Sequence, residues 1–146
     1  VRLLERAKAN GIYLGFKSPH EAAEVIASPD ALLVVMSFEM EHELFMRTSF
    51  TTKFSDYVTF DKPVILWGPD YCTPVLFARK HGGAAVVSSG DAGAVVSLCG
   101  QIAGDTAVSK KLSKEALHLH QTLLNPDRLQ AMFVGEIEKI VAARAR

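Results

Sequence analysis

Residues 48–57 read TSFTTKFSDY and bring hydroxyls, an ammonium and a carboxylate into ten consecutive positions. Thr51 or Thr52 can cap a following helix, which leaves free backbone N–H groups and a partial positive charge that suit a phosphate. Lys53 adds a full positive charge in the first turn, opposing the helix dipole until an anion relieves the conflict. Asp56 lies one turn further along on roughly the same face. Its carboxylate can accept hydrogen bonds from two vicinal hydroxyls, such as those of a ribose. A diphosphate at the helix start with ribose one turn deeper is therefore a geometrically sensible nucleotide site. The same residues also read as a plain threonine cap and an i, i+3 ion pair between Lys53 and Asp56, because short patterns of this kind recur by chance.

Other residues with chemical potential are less organised. Glu39, Glu41, His42 and Glu43 are metal-ligand types, but their loop spacing matches no defined metal motif and reads as a solvated loop. His118 and His120 stand two apart on an expected helix, face different directions, and read as surface or boundary residues. Cys72 is expected to be accessible in a loop, with no base to make it a nucleophile. Two cysteines, Cys72 and Cys99, are too few for a disulfide framework and are expected to be free thiols. Residues 68–73 (GPDYCT) are expected on the ligand side, and Gly-Pro-Asp is also a common turn.

These residues need a scaffold, and the hydrophobic pattern supplies one. Residues 2–10 are helical in composition and stop at Asn10-Gly11. Residues 12–16 (IYLGF) form a strand candidate. Ser18, Pro19 and Glu21 start a helix with a capping box. The continuous run at residues 31–36 (ALLVVM) predicts a strand apolar on both faces, in the middle of a parallel sheet. A polar loop is predicted over residues 37–50, and a helix over residues 52–60. Residues 63–67 (PVILW) and 84–88 (AAVVS) predict further strands. Helices are predicted over residues 73–80 and from Gly90-Asp91 to about residue 103. The remainder, from about residue 107 to residue 144, is predicted helical with a break at Asn125-Pro126-Asp127.

Strand and helix alternate, so the expected fold class is α/β: a Rossmann-like open parallel sheet of about four strands with flanking helices and a helical carboxyl-terminal extension. The 146 residues fit one domain. In such sheets, ligands bind beyond the carboxyl ends of the strands, which selects the loops after residues 16, 36, 67 and 88. The loop after Met36 is the longest and most polar of them. Leu129, Met132, Phe133, Ile137, Ile140 and Val141 follow helical spacing and read as core packing. Part of that stripe is expected to be exposed, and to drive self-association, if a neighbouring domain is needed to cover it.

Composition narrows the partners. The chain is 49% hydrophobic and 22% charged, a globular balance. Lys plus Arg number 16 and Asp plus Glu number 16, so bulk charge offers no attraction to nucleic acid. No run approaches the roughly 20 apolar residues of a membrane span, and no signal-peptide pattern is present, so a cytoplasmic location is expected. The chain opens on VRLLERAKANG, which reads as the last turns of a helix, and part of a longer protein is expected.

The order of four segments then carries a resemblance. NGIYLGF, HEAAEVIASPDALLVVMSF, SFTTKFSDYVTFDKPVILWGP and AAVVSSGDAGAVVSL, together spanning residues 10 to about 103, resemble the carboxyl-terminal domain of retaining GT-B glycosyltransferases, family 4-like. The resemblance implies half of a GT-B fold and a nucleotide-diphosphate sugar as ligand, with no metal or cofactor. In the family's paired-acid pattern, the ribose-binding acid falls on Asp56. Thr48 stands where the sugar-contacting acid is usual, Thr51 where Pro is usual, and Asp61 where Gly is usual before Lys62-Pro63. The implied donor-binding set is Thr48, Ser49, Phe50, Thr51, Thr52, Lys53 and Asp56, with no catalytic residue assigned. The family's acceptor domain and Gly-rich first strands have no counterpart here, so the chain is expected to be inactive in transfer by itself. A competing expectation is a non-catalytic flavodoxin-like or receiver-like module. Met36-Ser37-Phe38 and Gly68-Pro69-Asp70 fit a receiver's acidic positions poorly.

Overall fold

The computed structural model describes residues 2–144. Three parallel strands form one open sheet in the order β1 (Leu32–Val35), β2 (Val64–Trp67), β3 (Ala85–Val87). Leu32 pairs with Val64 and Val35 with Trp67, while Ile65 pairs with Ala85 and Trp67 with Val87. Among the described residues, eight α-helices accompany the strands: α1 (Arg2–Ala9), α2 (Pro19–Ala27), α3 (Glu43–Thr48), α4 (Thr52–Tyr57), α5 (Thr73–His81), α6 (Ala92–Gly104), α7 (Thr106–Thr122) and α8 (Pro126–Arg144). The α/β class and the open parallel sheet agree with the hydrophobic pattern.

The sheet is the organiser because β2 is apolar on both faces and must be covered twice. Val64 and Leu66 point into a cluster with Val34, Phe54, Val58, Val75, Ala78 and Leu119, drawn from β1, α4, α5 and α7. Ile65 points the other way, against Val95 and Ile102 of α6. Burying each of these side chains other than Ala78 contributes about 1.5–3 kcal/mol. The capping box forms as expected: Glu21 N–H donates to Ser18 Oγ at 3.4 Å, and Ser18 N–H donates to Glu21 Oε2 at 2.9 Å.

Four expectations are corrected. The described residues contain three strands, because residues 12–16 pair with nothing. Gly11 and Gly15 take φ of 66° and 76°, which breaks the extended run from both sides, and Phe16 stays 97% exposed. Secondly, β1 is an edge strand rather than a central one. Leu32 and Val34 are buried, but Leu33 and Val35 are 41% and 58% exposed, since α6 covers the second face only at β2 and β3. Thirdly, the expected polar loop after Met36 is largely folded. A 3-10 turn, Met40–His42, leads into α3, where Glu43 and Arg47 pair at 2.7 Å across i, i+4 and Met46 is buried. Lastly, no residue of α8 is buried, so its apolar stripe is not core packing.

Candidate functional site

The carboxyl ends of the three strands are drawn together by backbone and aromatic contacts. Met36 N–H donates to Trp67 O at 2.8 Å, and Gly68 N–H donates to Val87 O at 3.1 Å. The Trp67 indole donates to Ser89 O at 2.7 Å, and its ring lies 5.7 Å from that of Phe38. Arg79 reaches both Asp70, at 2.6 Å, and Ser88, at 3.0 Å, joining the loops that follow β2 and β3.

A cavity of about 350 Å³ opens beyond the end of β1. Val35, Met36 and Ser37 form one wall, Phe45 and Met46 of α3 a second, and Ser49, Phe50, Thr51 and Thr52 a third. Its position follows from local sequence. The strand ends at Val35, α3 folds back over it with Met46 as the buried anchor, and the chain turns at Ser49 to start α4. Phe50 is held by an aromatic cluster, with its ring 5.2 Å from Phe77 at 81° and 5.9 Å from Phe54. Thr73 Oγ donates to the Arg47 carbonyl, fastening the start of α5 to the end of α3. Arg47 also stacks over Tyr71 at 4.7 Å.

The lining is chemically simple. Five of its nine side chains are apolar, and the four polar ones are the hydroxyls of Ser37, Ser49, Thr51 and Thr52. None is charged at neutral pH. Such a cavity fits an uncharged, partly apolar group with hydroxyls or carbonyls that can exchange hydrogen bonds.

Of the seven residues expected to bind a donor, Ser49, Phe50, Thr51 and Thr52 line the cavity. Thr48, Lys53 and Asp56 do not. Thr48 is exposed and spends its hydroxyl on the Leu44 carbonyl at 2.8 Å. Lys53 and Asp56 are exposed on α4, and among the described residues their side chains make no ion pair with each other. Thr51 is the N-cap of α4 with extended φ and ψ, but its side chain makes no capping bond. That hydroxyl is thus left for the cavity. With six residues, α4 is too short to build a full macrodipole, so Lys53 is the principal positive charge there.

Sequence reasoning missed Val35, Met36, Ser37, Phe45 and Met46. The first three were signalled by the rule that ligands bind where parallel strands end. The signal for the others was the apolar triplet Leu44-Phe45-Met46 inside an otherwise polar stretch. Cys72 is a further correction, because it is buried rather than accessible. Burial raises its thiol pKa above the ordinary value, and the nearby Arg47 charge only partly opposes this. Glu39, Glu41 and His42 come within 4.8 Å of one another, all three exposed. Among the described residues, no helix is long and apolar enough to cross a membrane. Comparison with protein-family models, curated proteins and solved structures finds no match to this chain.

Proposed function

We propose that this chain is the donor-binding part of a glycosyltransferase and takes a nucleotide-diphosphate sugar in the cavity beyond β1. One observation carries the reading: four of the residues that the resemblance assigns to the donor, Ser49 to Thr52, line a cavity at the carboxyl end of a parallel strand. A second detail supports it. Asp61 occupies the position where the family carries Gly, and its φ is 50°, a left-handed conformation that glycine adopts most readily.

In this reading the cavity holds an uncharged portion of the donor against Met36, Phe45 and Phe50, with the four hydroxyls as hydrogen-bond partners. Lys53 meets the diphosphate, and Asp56 accepts from the ribose hydroxyls. The protein's contribution is to position the donor and to stabilise charge on the leaving diphosphate. Transfer requires an acceptor-binding part beyond this chain, so the chain binds donor without transferring it.

The test is a titration of uridine, guanosine, adenosine and cytidine diphosphate sugars, followed by NMR amide shifts and calorimetry. One of them is expected to move the amides of Ser49 to Lys53. Asp56→Ala is expected to weaken that binding by roughly tenfold to a hundredfold, the loss of hydrogen bonds to a charged acceptor. A full panel without shifts at those amides, or an Asp56→Ala variant with unchanged affinity, would sink the reading.

A further inference from the structure

We propose that the recess between α7 and the turn ahead of β2 is a binding site for a small phosphate monoester that carries hydroxyls. The recess has a volume of about 460 Å³ and is lined by Asp61, Ser109, Lys110, Ser113 and Lys114. Its place follows from the pattern of α7. Leu112, Ala116 and Leu119 recur at helical spacing and turn one side of the helix onto the core. Ser109 and Ser113 flank that side, half-buried, and Lys110 and Lys114 follow on the exposed side. Asp61 closes the recess from the turn between α4 and β2, where its φ is 50°. A second recess, of about 270 Å³, adjoins the first at Ser109 and continues past Thr106 to Asp30, just ahead of β1. Both therefore lie at the amino ends of the strands, whereas the cavity beyond β1 lies at a carboxyl end. They share no lining residue with that cavity, so this site stands independently of the donor reading.

The charges and donors of the first recess select an anion. Lys110 and Lys114 stand four apart, about 6 Å along the helix, so their side chains share one face and their charges repel. Lys111 has Glu115 at 3.8 Å, but among the described residues neither Lys110 nor Lys114 makes an ion pair. The hydroxyls beside them are uncommitted as well. Thr48, Ser55 and Thr122 each donate to a carbonyl of their own helix, and among the described residues Ser109 and Ser113 do not. Two cations and two hydroxyl donors thus meet in one recess with no acceptor in the protein. A phosphate has the charge and the oxygens to engage them together. Asp61 decides the rest of the ligand. Its carboxylate repels a bare anion and accepts from a hydroxyl, which favours a phosphate carried on a hydroxylated group. The adjoining recess gives that group room between Thr106 and Asp30. An anionic membrane surface would press both carboxylates against like charge, so the ligand is a soluble ester.

Amide NMR of the whole chain follows titrations with glycerol phosphate, inorganic phosphate and glycerol. Glycerol phosphate is expected to move the amides of Ser109 to Lys114 and of Asp61, and to bind roughly threefold or more tighter than inorganic phosphate. Glycerol alone should move none of them. Lys110→Gln and Lys114→Gln should each weaken glycerol phosphate by roughly twofold to fivefold, the effect of one exposed charge. Lys111→Gln, on the other flank of the same helix, should leave the affinity unchanged. Asp61→Asn keeps a residue that tolerates the left-handed backbone. It should tighten inorganic phosphate and erase the preference for the ester. Absence of shifts at Ser109 to Lys114, shifts confined to Ser49 to Lys53, an equal loss in Lys111→Gln, or a preference that survives Asp61→Asn would each overturn the proposal. So would binding to vesicles of phosphatidic acid in phosphatidylcholine by a chain that glycerol phosphate leaves unmoved.

Discussion

Gly68 sits so close to Met36 that a Cβ on the glycine would stand 2.6 Å from Met36 Cβ and 3.0 Å from its Cγ. The contact joins the turn after β2 to the end of β1, at a residue that lines the cavity. Met36 Cβ is fixed to the backbone and cannot swing aside. Gly68→Ala should therefore destabilise the fold by about 1–3 kcal/mol, the usual cost of overpacking. Urea unfolding measures this, and affinity for the proposed donor should fall with it. Full retention of both would mean that the two loops are not held together as described.

The bond from Thr73 Oγ to the Arg47 carbonyl satisfies an acceptor that the end of α3 leaves without a helical partner. Thr73→Val keeps the shape and removes the donor. A loss of about 1 kcal/mol is expected, with Thr73→Ser recovering most of it. Amide exchange at Ser49 and Phe50 should accelerate in the Val variant alone. Equal behaviour of Ser and Val would exclude the hydrogen bond as the cause.

Asp61 turns the chain from α4 into β2 with φ of 50°. A β-branched side chain tolerates that conformation worst, so Asp61→Val should cost about 1–2 kcal/mol. Asp61→Gly should be neutral or mildly stabilising, because relief of strain is set against the greater freedom of glycine in the unfolded chain. Thermal melts of the two variants decide it, and a Gly variant less stable than the Val variant would contradict the geometry.

Cys99 is exposed and Cys72 is buried. A chromogenic thiol reagent should modify Cys99 at once and Cys72 only as the chain unfolds. Because burial raises the Cys72 pKa, the folded state holds this proton more tightly than the unfolded state does. The associated stability is complete below the ordinary thiol value of 9.0 and is lost as pH rises from there through the folded value. Cys72→Ala should flatten that alkaline limb. Two thiols reacting at one rate would refute the burial.

At the other end of the scale, hydrogen bonds from the Ser18 side chain and backbone hold the Glu21 carboxyl below its ordinary value of 4.5. The linked contribution to α2 is present above that value and is lost as pH falls through the lower, folded value. Exchange of the α2 amides should rise over that acid range in the native chain. In Glu21→Gln the same step should be absent, and its persistence would assign the acid transition to another carboxyl.

Much of the scaffold was legible because it rests on local pattern. The runs LLVV and VILW are apolar without interruption and become two parallel strands, although only VILW is covered on both faces. Ser18-Pro19 with Glu21, and Asp91 before Ala92, are caps whose partners lie within three residues, and both form.

Other features depend on contacts between distant residues and were out of reach of any local pattern. Residues 12–16 have strand composition, but a strand exists only where an edge accepts it, and none does here among the described residues. Residues 43–48 look polar enough for a loop. They become helix because Met46 finds a pocket and Arg47 finds both Glu43 and Tyr71. The stripe on α8 has the spacing of a core helix, yet spacing reports only that one face is apolar, never what covers it. The candidate site divides in the same way. Its hydroxyl wall, Ser49 to Thr52, was determined by residue type and by its place after a parallel strand. Its apolar wall, Met36, Phe45 and Met46, was decided only when α3 folded back over the end of β1, because burial is a property of the assembled chain and not of any one segment.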